Sequence, residues 1–599
     1  MGSIRLSVYV TAQAIMQFGI DPHERARMVR EIRDLGAGRV FIDVWRGSRL
    51  VEHDLLRAVR DAFLDAGFQV GTGIFTVSGR DEALEGTPDW EADATIGSNS
   101  RWGSDICYCN PRSKEVLREA MRSAAALFDE FLIDDALCTQ CTCARCRAAR
   151  GDRTWSQFRR DLMLEVSRDV IVGTCREVNP RIRMIMKFPQ WYDRLHLFGY
   201  DTSREPAVFD ATWIGTETRD PDTPQYGYAP QYEACFNVRW HKAASPKLEG
   251  AWFDYFDCDP TVFVEQAYQS VLGGARNLTV FSYGEALFRG NGYHLGALKA
   301  ALPRLETLAG RLDGQEPTGV VAVRPHNADS ADDGYVFDGL GMIGFPLVPR
   351  VNWPAETPTA LLLTDHVAGD PSLAAQVAKV VNAGGTVFMT ASALTRRDDD
   401  DELRALAGYA GDGWAQTSLW TTEEFSAAGQ VVRSAEPVML RFDLHPTTAE
   451  VLAHVGGPVH NRTEWVPLVT RQMHPSGGSV VVLNVCGAAP RDYRMDETLN
   501  VPLVLQMQLY PEAIVNVIQR EIGRATGQGF LAPPKVACYP FSGGDVAIQN
   551  FTDHEVVAVP AGRPLPPDAK ELLGLASFVE RDGTRGVRLP PRTIALVGR

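Results

Sequence analysis

Residues 131–147 read FLIDDALCTQCTCARCR. In this stretch an apolar, strand-like run ends in two adjacent carboxylates, Asp134 and Asp135, and a cluster of cysteines begins three residues later. An apolar run that stops at acidic residues is typical of a buried parallel strand whose carboxyl end carries functional groups. The number of apolar runs that end in polar residues in this way indicates which fold the chain adopts.

Short apolar runs with polar ends recur eight times in the first half of the chain. Helix-like segments, with apolar residues at helical spacing and often a terminal glycine, lie between most of them. Eight strands alternating with helices predict a (β/α)8 TIM barrel. A doubly wound open sheet is the alternative, but it would gather its polar residues at one switch point, and no glycine-rich phosphate loop follows the first strand. The eight segments are residues 5–10, 39–45, 68–75, 130–137, 181–188, 207–215, 248–256 and 277–284.

The second half of the chain has a different pattern. Short parallel-type strands and a helix predict a flavodoxin-like or amidotransferase-like α/β domain, and the last segment has the turn punctuation of a small antiparallel β-domain. A working amidotransferase needs a nucleophilic cysteine at a strand-to-helix turn, but residues 390–392 read Thr-Ala-Ser there. We therefore expect this domain to be structural and to mediate a homo-oligomer. The predicted domains are residues 1–312, residues 317–528 with an insertion near 410–475, and residues 529–599.

Composition excludes several classes of partner. The 599 residues carry a formal net charge of -15, whereas nucleic acids and anionic membranes select basic surfaces. No stretch reaches the roughly 18 apolar residues of a membrane span, and the N-terminus has no signal-peptide pattern. The expectation is a cytoplasmic protein with no membrane or nucleic acid partner.

The cysteines of residues 141–146, CTCARC, predict a metal site. Zinc takes four soft ligands in a tetrahedron, and this spacing lets one loop supply three, Cys141, Cys143 and Cys146. Four thiolates would complete the coordination shell, so we expect a structural zinc that holds the loop after strand four. No HExxH pattern indicates a catalytic zinc, and no organic cofactor is expected. The fourth ligand would come from Cys107, Cys109 or Cys138.

Carboxylates at the strand ends are the candidate catalytic residues. Glycoside hydrolysis usually needs two of them, a proton donor and a nucleophile or base. Asp135 ends strand four, and its partner would be Glu217 after strand six or Asp254 at the end of strand seven. Because strand side chains alternate, Asp134 is expected to point to the other face from Asp135.

Aromatic and charged residues at the same ends are candidates for substrate binding. Sugar rings present apolar faces that suit aromatic platforms, and arginine or lysine could bind an acidic sugar. These candidates are Trp45, Arg46, Asp134, Lys187, Trp191, Arg219, Trp252 and Glu285.

A strand that ends in an acidic pair, followed by CxCxxC and a helix such as TWSQFRRDLM, resembles the zinc-bearing β-galactosidases of glycoside hydrolase family 42. In that family strand four ends in Asn-Glu, the Glu is the acid/base, a zinc loop with an upstream cysteine follows, and the second domain assembles trimers. Here Asp134-Asp135 replaces Asn-Glu, and strand seven reads GAWFDYFD, so Asp254 or Asp257 would take the place of the nucleophile. The resemblance implies a divergent barrel glycosidase that forms trimers or dimers.

Two catalytic pairings remain open. The pairing implied by family 42 uses Asp135 as acid/base and Asp254 as nucleophile. The other resembles the barrel α-galactosidases, with Asp135 as nucleophile and Glu217 as acid/base; we favour it, because Glu217 lies in a polar TETRD segment and has a longer side chain. We therefore expect a glycoside hydrolase, exo-acting on oligosaccharides. The alternatives are a barrel lyase or isomerase of sugar acids that uses Lys187 with a carboxylate, and a non-catalytic carbohydrate-binding protein.

Overall fold

The apolar runs of the first half form the predicted parallel strands. In the computed structural model, each strand pairs with the next along the chain, and the last pairs with the first, so the sheet closes into an eight-stranded barrel. The barrel prediction is therefore confirmed. The strands are β1 (Arg5–Val10), β2 (Arg39–Arg46), β3 (Gln69–Phe75), β4 (Glu130–Ile133), β5 (Arg183–Phe188), β6 (Ala211–Gly215), β7 (Leu248–Asp254) and β8 (Asn277–Tyr283).

The structure describes residues 4–46, 49–76, 106–135, 137–220, 230–290, 292–459, 462–485 and 506–599. Two compact units divide the chain. The first holds most of the chain up to Gly310, and the second holds most of the chain from Arg311 onward.

Helices connect the barrel strands, and local sequence sets where they begin. Asp21 caps the helix that starts at Pro22, and Thr154 and Gln157 form a reciprocal capping box at the helix after the cysteine loop. The helices are α1 (Ala12–Phe18), α2 (Pro22–Asp34), α3 (His53–Asp65), α4 (Pro111–Ala125), α5 (Ala144–Arg150), α6 (Trp155–Glu165), α7 (Gly173–Val178), α8 (Leu195–Phe198), α9 (Tyr232–Ala244), α10 (Pro260–Gly273) and α11 (Tyr293–Arg311). A π-helical segment, Val166–Val172, joins α6 to α7.

Large aromatic side chains fill the barrel interior, and glycines on neighbouring strands make room for them. Tyr9 and Trp213 belong to this core cluster. A Cβ atom added at Gly73 would lie 2.2 Å from the Tyr9 hydroxyl, and one at Gly250 would lie 2.6 Å from the Trp213 ring. These glycines therefore serve close packing within the strands.

A nine-stranded mixed sheet organises the second unit. Five strands are parallel, in the order β10-β9-β11-β12-β17, and four long antiparallel strands continue the sheet as β16-β15-β13-β14. The insertion expected near 410–475 thus extends the sheet as two hairpins. The strands are β9 (Val320–Val323), β10 (Leu347–Arg350), β11 (Ala360–Leu363), β12 (Thr386–Thr390), β13 (Ala415–Ala427), β14 (Gln430–Leu444), β15 (Glu450–Val459), β16 (Arg462–Met473) and β17 (Ser479–Leu483). The helices of this unit are α12 (Val336–Met342), α13 (Leu373–Asn382), α14 (Ala391–Thr395), α15 (Asp401–Ala407) and α16 (Glu512–Thr526).

The last residues form two four-stranded antiparallel sheets around a common apolar core, as predicted. This β-domain belongs to the second compact unit. Its strands are β18 (Phe530–Leu531), β19 (Val536–Pro540), β20 (Val546–Asn550), β21 (Val556–Pro560), β22 (Lys570–Glu571), β23 (Ser577–Arg581), β24 (Thr584–Leu589) and β25 (Thr593–Gly598).

Within the described parts of the chain, no helix is both long enough and apolar enough to cross a membrane.

Candidate active site

A buried lysine at the carboxyl end of β5 gathers three carboxylates. The Lys187 Nζ atom lies 2.9 Å from Glu217 Oε1, 3.2 Å from Asp134 Oδ1 and 3.6 Å from Asp135 Oδ1. The lysine side chain is only 2 % exposed. Buried charges persist only where opposite charges or hydrogen bonds compensate their desolvation, so these four side chains depend on one another. We call Lys187, Asp134, Asp135 and Glu217 the Lys187 cluster.

The expectation that Asp134 points away from Asp135 is wrong, because both carboxylates reach Lys187. The strand β4 ends at Ile133, and Asp135 has a backbone φ of 23°. Strict alternation requires extended backbone, and the chain has already left that conformation at the acidic pair.

A second set of charges joins the cluster from β2. The Arg46 guanidinium donates to Asp134 Oδ2 at 2.8 Å and to Asp43 Oδ2 at 2.6 Å, and the Tyr9 hydroxyl donates to Asp43 Oδ1 at 2.8 Å. Sequence analysis missed Asp43 and Tyr9. The signal that could have revealed Asp43 is a single acidic residue inside the apolar run RVFIDVW, since such a charge needs a buried partner.

Asp254 at the end of β7 is bound by Arg219. The Arg219 guanidinium donates to both carboxylate oxygens, at 3.1 and 2.6 Å, and the backbone N–H of Phe256 donates to Oδ1 at 3.2 Å. Bidentate pairs of this kind are among the strongest charge-assisted hydrogen bonds. Both oxygens of Asp254 are therefore engaged.

Aromatic rings line the apolar side of these charges. Lys187 Nζ lies 4.8 Å from the centre of the Trp252 ring. The Arg46 guanidinium lies over Phe75 at 4.4 Å and over Phe281 at 5.1 Å. Rings beneath cations contribute cation–π attraction and exclude water from the ion pairs.

The environment changes the proton affinities of the cluster. Burial raises the pKa of Glu217 to about 7, although the Lys187 ammonium opposes the rise. Burial also raises the pKa of Asp135, again against the attraction of Lys187. For Lys187 burial acts in the opposite sense, but the attraction of its three carboxylates outweighs it and raises the pKa of the ammonium.

Two carboxylate oxygens of the cluster have no hydrogen bond from any described residue. They are Oδ1 of Asp135 and Oε2 of Glu217, and both atoms are buried. The Asp135 side chain is 18 % exposed, against 4 % for Glu217. Asp135 is thus the member of the cluster that is most open to a ligand.

Three other predicted residues lie outside these contacts. Trp45 is buried in β2 next to Arg46. Trp191 is buried against the rings of Phe198 and Tyr200, as a core side chain would be. Glu285 is exposed and accepts a hydrogen bond from Gln17 at 3.1 Å.

The cysteine loop provides a candidate metal centre. The sulfur atoms of Cys107, Cys141, Cys143 and Cys146 all lie within 4.8 Å of one another, and Cys107 Sγ is 3.7 Å from both Cys143 Sγ and Cys146 Sγ. A tetrahedron with Zn–S bonds of about 2.3 Å has S···S edges of about 3.8 Å, so the four thiols fit such a metal. Cys107 therefore completes the set, which leaves out Cys109 and Cys138.

Comparison with known protein families identifies two parts of the chain. Residues 1–293 match a family model described as a probable glycosyl hydrolase, catalytic domain. Residues 315–411 match the second domain of the uncharacterized protein SSO3021. SSO3021 itself, from Saccharolobus solfataricus, is 21 % identical over 550 residues, which cover 81 % of this chain and 86 % of that protein.

Solved structures share the architecture of nearly the whole chain. A catalytic mutant of a GH42 β-galactosidase from G. stearothermophilus superposes with a TM-score of 0.61 at 12 % identity, covering 100 % of this chain and 98 % of its own. The α-L-fucosidase isoenzyme 2 from Paenibacillus thiaminolyticus gives a TM-score of 0.61 at 13 % identity and covers 99 % of both chains. At this level of identity the likeness is one of fold.

Proposed function

The protein is a glycoside hydrolase whose divergent (β/α)8 barrel resembles that of the GH42 β-galactosidases, and we propose that Asp135 and Glu217 form its catalytic pair. In this proposal Asp135 is the nucleophile and Glu217 is the acid/base. The observation that carries it is the joint ion pairing of both carboxylates with Lys187, while Oδ1 of Asp135 and Oε2 of Glu217 are buried and accept no hydrogen bond from a described residue.

The division of roles follows from the two environments. A proton donor needs a pKa near the working pH, and burial gives Glu217 a pKa of about 7. A nucleophile must reach the anomeric carbon, and Asp135 is the more exposed of the two. Asp254 suits neither role, because Arg219 and the Phe256 N–H engage both of its oxygens.

The spacing of the pair is compatible with retention of anomeric configuration. Asp135 Oδ1 and Glu217 Oε1 lie 3.6 and 2.9 Å from the same nitrogen, so they are at most 6.5 Å apart, the sum of the two distances. Retaining enzymes separate their carboxyl groups by about 5–5.5 Å and inverting enzymes by about 6.5–9.5 Å. The bound joins Asp135 Oδ1 to Glu217 Oε1, the oxygen that Lys187 binds, and it includes the spacing of retaining enzymes.

The mechanism that this geometry supports has two steps. Asp135 attacks the anomeric carbon while Glu217 donates its proton to the departing glycosidic oxygen, which leaves a glycosyl ester on Asp135. Glu217, now ionised, then takes a proton from a water molecule. That water attacks the anomeric carbon, breaks the ester and restores both carboxyl groups to their starting states.

The charge balance of the barrel mouth also suits a positive transition state. Among the described residues five acids face three cations there, and four of the acids are ionised when Glu217 carries its proton, so the ion pairs leave a negative excess near the site at which an oxocarbenium-like charge develops. The acids are Asp43, Asp134, Asp135, Glu217 and Asp254, and the cations are Arg46, Lys187 and Arg219.

A lyase or isomerase that uses Lys187 as a base has less support. A base must be able to lose its proton near neutral pH, whereas three carboxylates raise the pKa of Lys187. Arg46 is paired with Asp134 and Arg219 with Asp254. These ion pairs already neutralise the two arginines, so they do not favour a substrate with an acidic sugar.

The proposed substrate is the non-reducing end of an oligosaccharide. The low exposure of all members of the cluster except Asp135 supports this, because a buried site suits the end of a chain more than its middle. The similar structures are a β-galactosidase and an α-L-fucosidase, which differ in both sugar and anomer, so the fold does not select the sugar.

Zinc is the metal proposed for Cys107, Cys141, Cys143 and Cys146. Four thiol ligands leave no position for water or substrate, so the ion would hold the loop after β4 beside Asp134 and Asp135 and take no part in the reaction. None of the described cysteines forms a disulfide bond, which supports a reducing compartment such as the cytoplasm.

The first test is a panel of aryl glycosides and oligosaccharides with wild type and Asp135→Asn, using Glu249→Gln as control. Glu249 is partly exposed and pairs with Arg183 at the amino end of β7, so its variant should keep full activity. Asp135→Asn should lose at least about 1,000-fold in kcat, and azide should restore turnover of Asp135→Gly as the inverted glycosyl azide. Full activity in Asp135→Asn would exclude Asp135 as the nucleophile.

A further inference from the structure

Two residues adjoin the carboxyl group of Glu217, Lys187 at Oε1 and Gly215 at Oε2. We propose that Lys187 and Gly215 form a cradle that fixes the side chain of Glu217 and places its acid proton on Oε2. Both are positioning residues in this proposal, which rests on the acid/base role of Glu217.

Lys187 determines which oxygen carries the proton. An ammonium group has three donors and no acceptor, so Oε1 of Glu217 accepts a hydrogen bond from Lys187 Nζ at 2.9 Å. A protonated Oε1 would point its hydrogen at a cation. The proton of the neutral acid therefore lies on Oε2, the oxygen that has no hydrogen bond from a described residue.

Gly215 provides the space for that oxygen. It is the last residue of β6, and the side chain of Glu217 folds back over it. A Cβ atom at position 215 would lie 2.3 Å from Glu217 Oε2 and 2.9 Å from the backbone nitrogen of Gln190. The φ of Gly215 lies outside the left-handed region, so an alanine is excluded by space and not by backbone conformation.

The charged groups that face Lys187 act from several elements. Asp134 and Asp135 approach from the end of β4, and Glu217 from the segment after β6. Beyond this first layer, Arg46 and Asp43 of β2, Tyr9 of β1, and the Arg219–Asp254 pair complete the ionic network. Removing the lysine charge leaves Asp134, Asp135 and Glu217 with Arg46 and Arg219 as the nearest cations.

The variant Gly215→Ala tests whether Glu217 needs the space that the absent side chain of Gly215 leaves for Oε2. Gly38→Ala is its matched control. Gly38 precedes β2, and a Cβ there would meet nothing within 4 Å. An aryl glycoside with a strongly acidic phenol needs no proton for departure, whereas a weakly acidic phenol or an alcohol does. Gly215→Ala should therefore lose at least about 100-fold in kcat/KM on the poor leaving group and less than about 10-fold on the good one. Gly38→Ala should match wild type on both.

Lys187→Met and Lys187→Arg test the charge. Without the ammonium, the neighbouring carboxyl groups repel one another and hold their protons more tightly, so both limbs of the pH profile of kcat/KM should move upward by about one unit or more in Lys187→Met. Lys187→Arg should return both limbs toward the wild-type positions. Near-ultraviolet circular dichroism and bound metal report whether each variant is folded.

The outcomes separate this proposal from the catalytic pair on which it rests. If Glu217→Gln shows no dependence on the leaving group, Glu217 is not the acid and the catalytic assignment fails. If Glu217→Gln shows that dependence but Gly215→Ala does not, the cradle is wrong and the assignment stands. A change of KM alone in Lys187→Met, with unmoved limbs, would make Lys187 a substrate-binding residue and overturn the proposal.

Discussion

At Glu217, burial and one ammonium group act in opposite directions on the same carboxyl. Burial favours the neutral acid, and Lys187 favours the carboxylate, and the balance gives a pKa of about 7. A carboxyl group that is part-protonated at neutral pH can both donate and accept a proton in one catalytic cycle. The same residue without its lysine, or without its burial, would do only one of these at that pH.

The pH profile of the wild-type enzyme should report this value. Glu217 must be protonated in the free enzyme, so kcat/KM should fall as the pH rises through about 7, the pKa of Glu217. Steady-state kinetics between pH 4 and 9 on a substrate with a poor leaving group would measure it. The alkaline limb should be absent in Glu217→Gln, and a limb at the same pH in that variant would assign it to another group.

In our proposal Asp254 is a strand-end carboxylate with a structural role. Arg219 holds both of its oxygens, and the two side chains are 13 % and 3 % exposed. Removing one partner of a buried pair leaves the other charge uncompensated, which costs about 3–5 kcal/mol.

The pair should therefore matter for stability. Arg219→Met should lower the melting temperature of the barrel unit clearly, and the double variant Arg219→Met with Asp254→Leu should recover much of the loss. Differential scanning calorimetry of the three proteins measures this. A double variant less stable than Arg219→Met would show that Asp254 is held mainly by other contacts.

Among the elements, β3 and β7 depend on glycines that face large rings. At Gly250 an added methyl group would lie 2.6 Å from the Trp213 indole, which is fully buried. Because protein interiors are close-packed, the ring cannot move aside without disturbing its neighbours.

Gly250→Ala should thus destabilise the barrel by about 1–3 kcal/mol, the usual cost of overpacking. The urea midpoint of the barrel transition, followed by tryptophan fluorescence, would show it. Gly38→Ala, with open space around its Cβ, should leave the midpoint in place. Equal midpoints for the two variants would contradict the packing argument.

The cysteine loop directly follows the acidic pair in the chain, and its metal content can be tested. Native mass spectrometry should find one zinc ion per chain in the wild type. Cys107→Ser should lose the ion and melt at a lower temperature, because metal binding contributes to folding free energy. Cys109→Ser should keep the ion, since Cys109 lies outside the four-sulfur set. Retention of zinc by Cys107→Ser would point to a different fourth ligand.

At the scale of the whole molecule, we expect the second unit to have a structural role. Residues 390–392 place Thr-Ala-Ser where an amidotransferase has its cysteine. Its long strands expose three large apolar side chains, Val431, Trp465 and Met473. Exposed apolar groups on extended hairpins suit an interface between copies of the chain.

We therefore predict a homo-oligomer, a trimer or a dimer. Light scattering coupled to size-exclusion chromatography should give a mass that is a multiple of 65.9 kDa at micromolar protein. Val431→Glu with Trp465→Glu should shift that mass toward the single chain. A mass of 65.9 kDa for the wild type would refute the prediction.

The sequence by itself determined the barrel, the order of the domains and the residue types at the mouth. Eight apolar runs with polar ends can bury their apolar faces only by closing on one another under helices, and the spacing of CTCARC already indicated three metal ligands. These are local properties, which periodicity along the chain records directly.

Only the tertiary structure decided which of those residues act together. Lys187 contacts side chains 30 to 53 residues away in the chain, Arg46 binds Asp134 across the barrel mouth, and Cys107 joins a loop 34 residues downstream of it. No pattern along a strand encodes such contacts, because barrel closure brings together the ends of strands that are distant in sequence. The same closure paired Asp254 with Arg219 and left Oδ1 of Asp135 and Oε2 of Glu217 without a hydrogen bond from a described residue, and for this reason the proposed catalytic pair is Asp135 with Glu217.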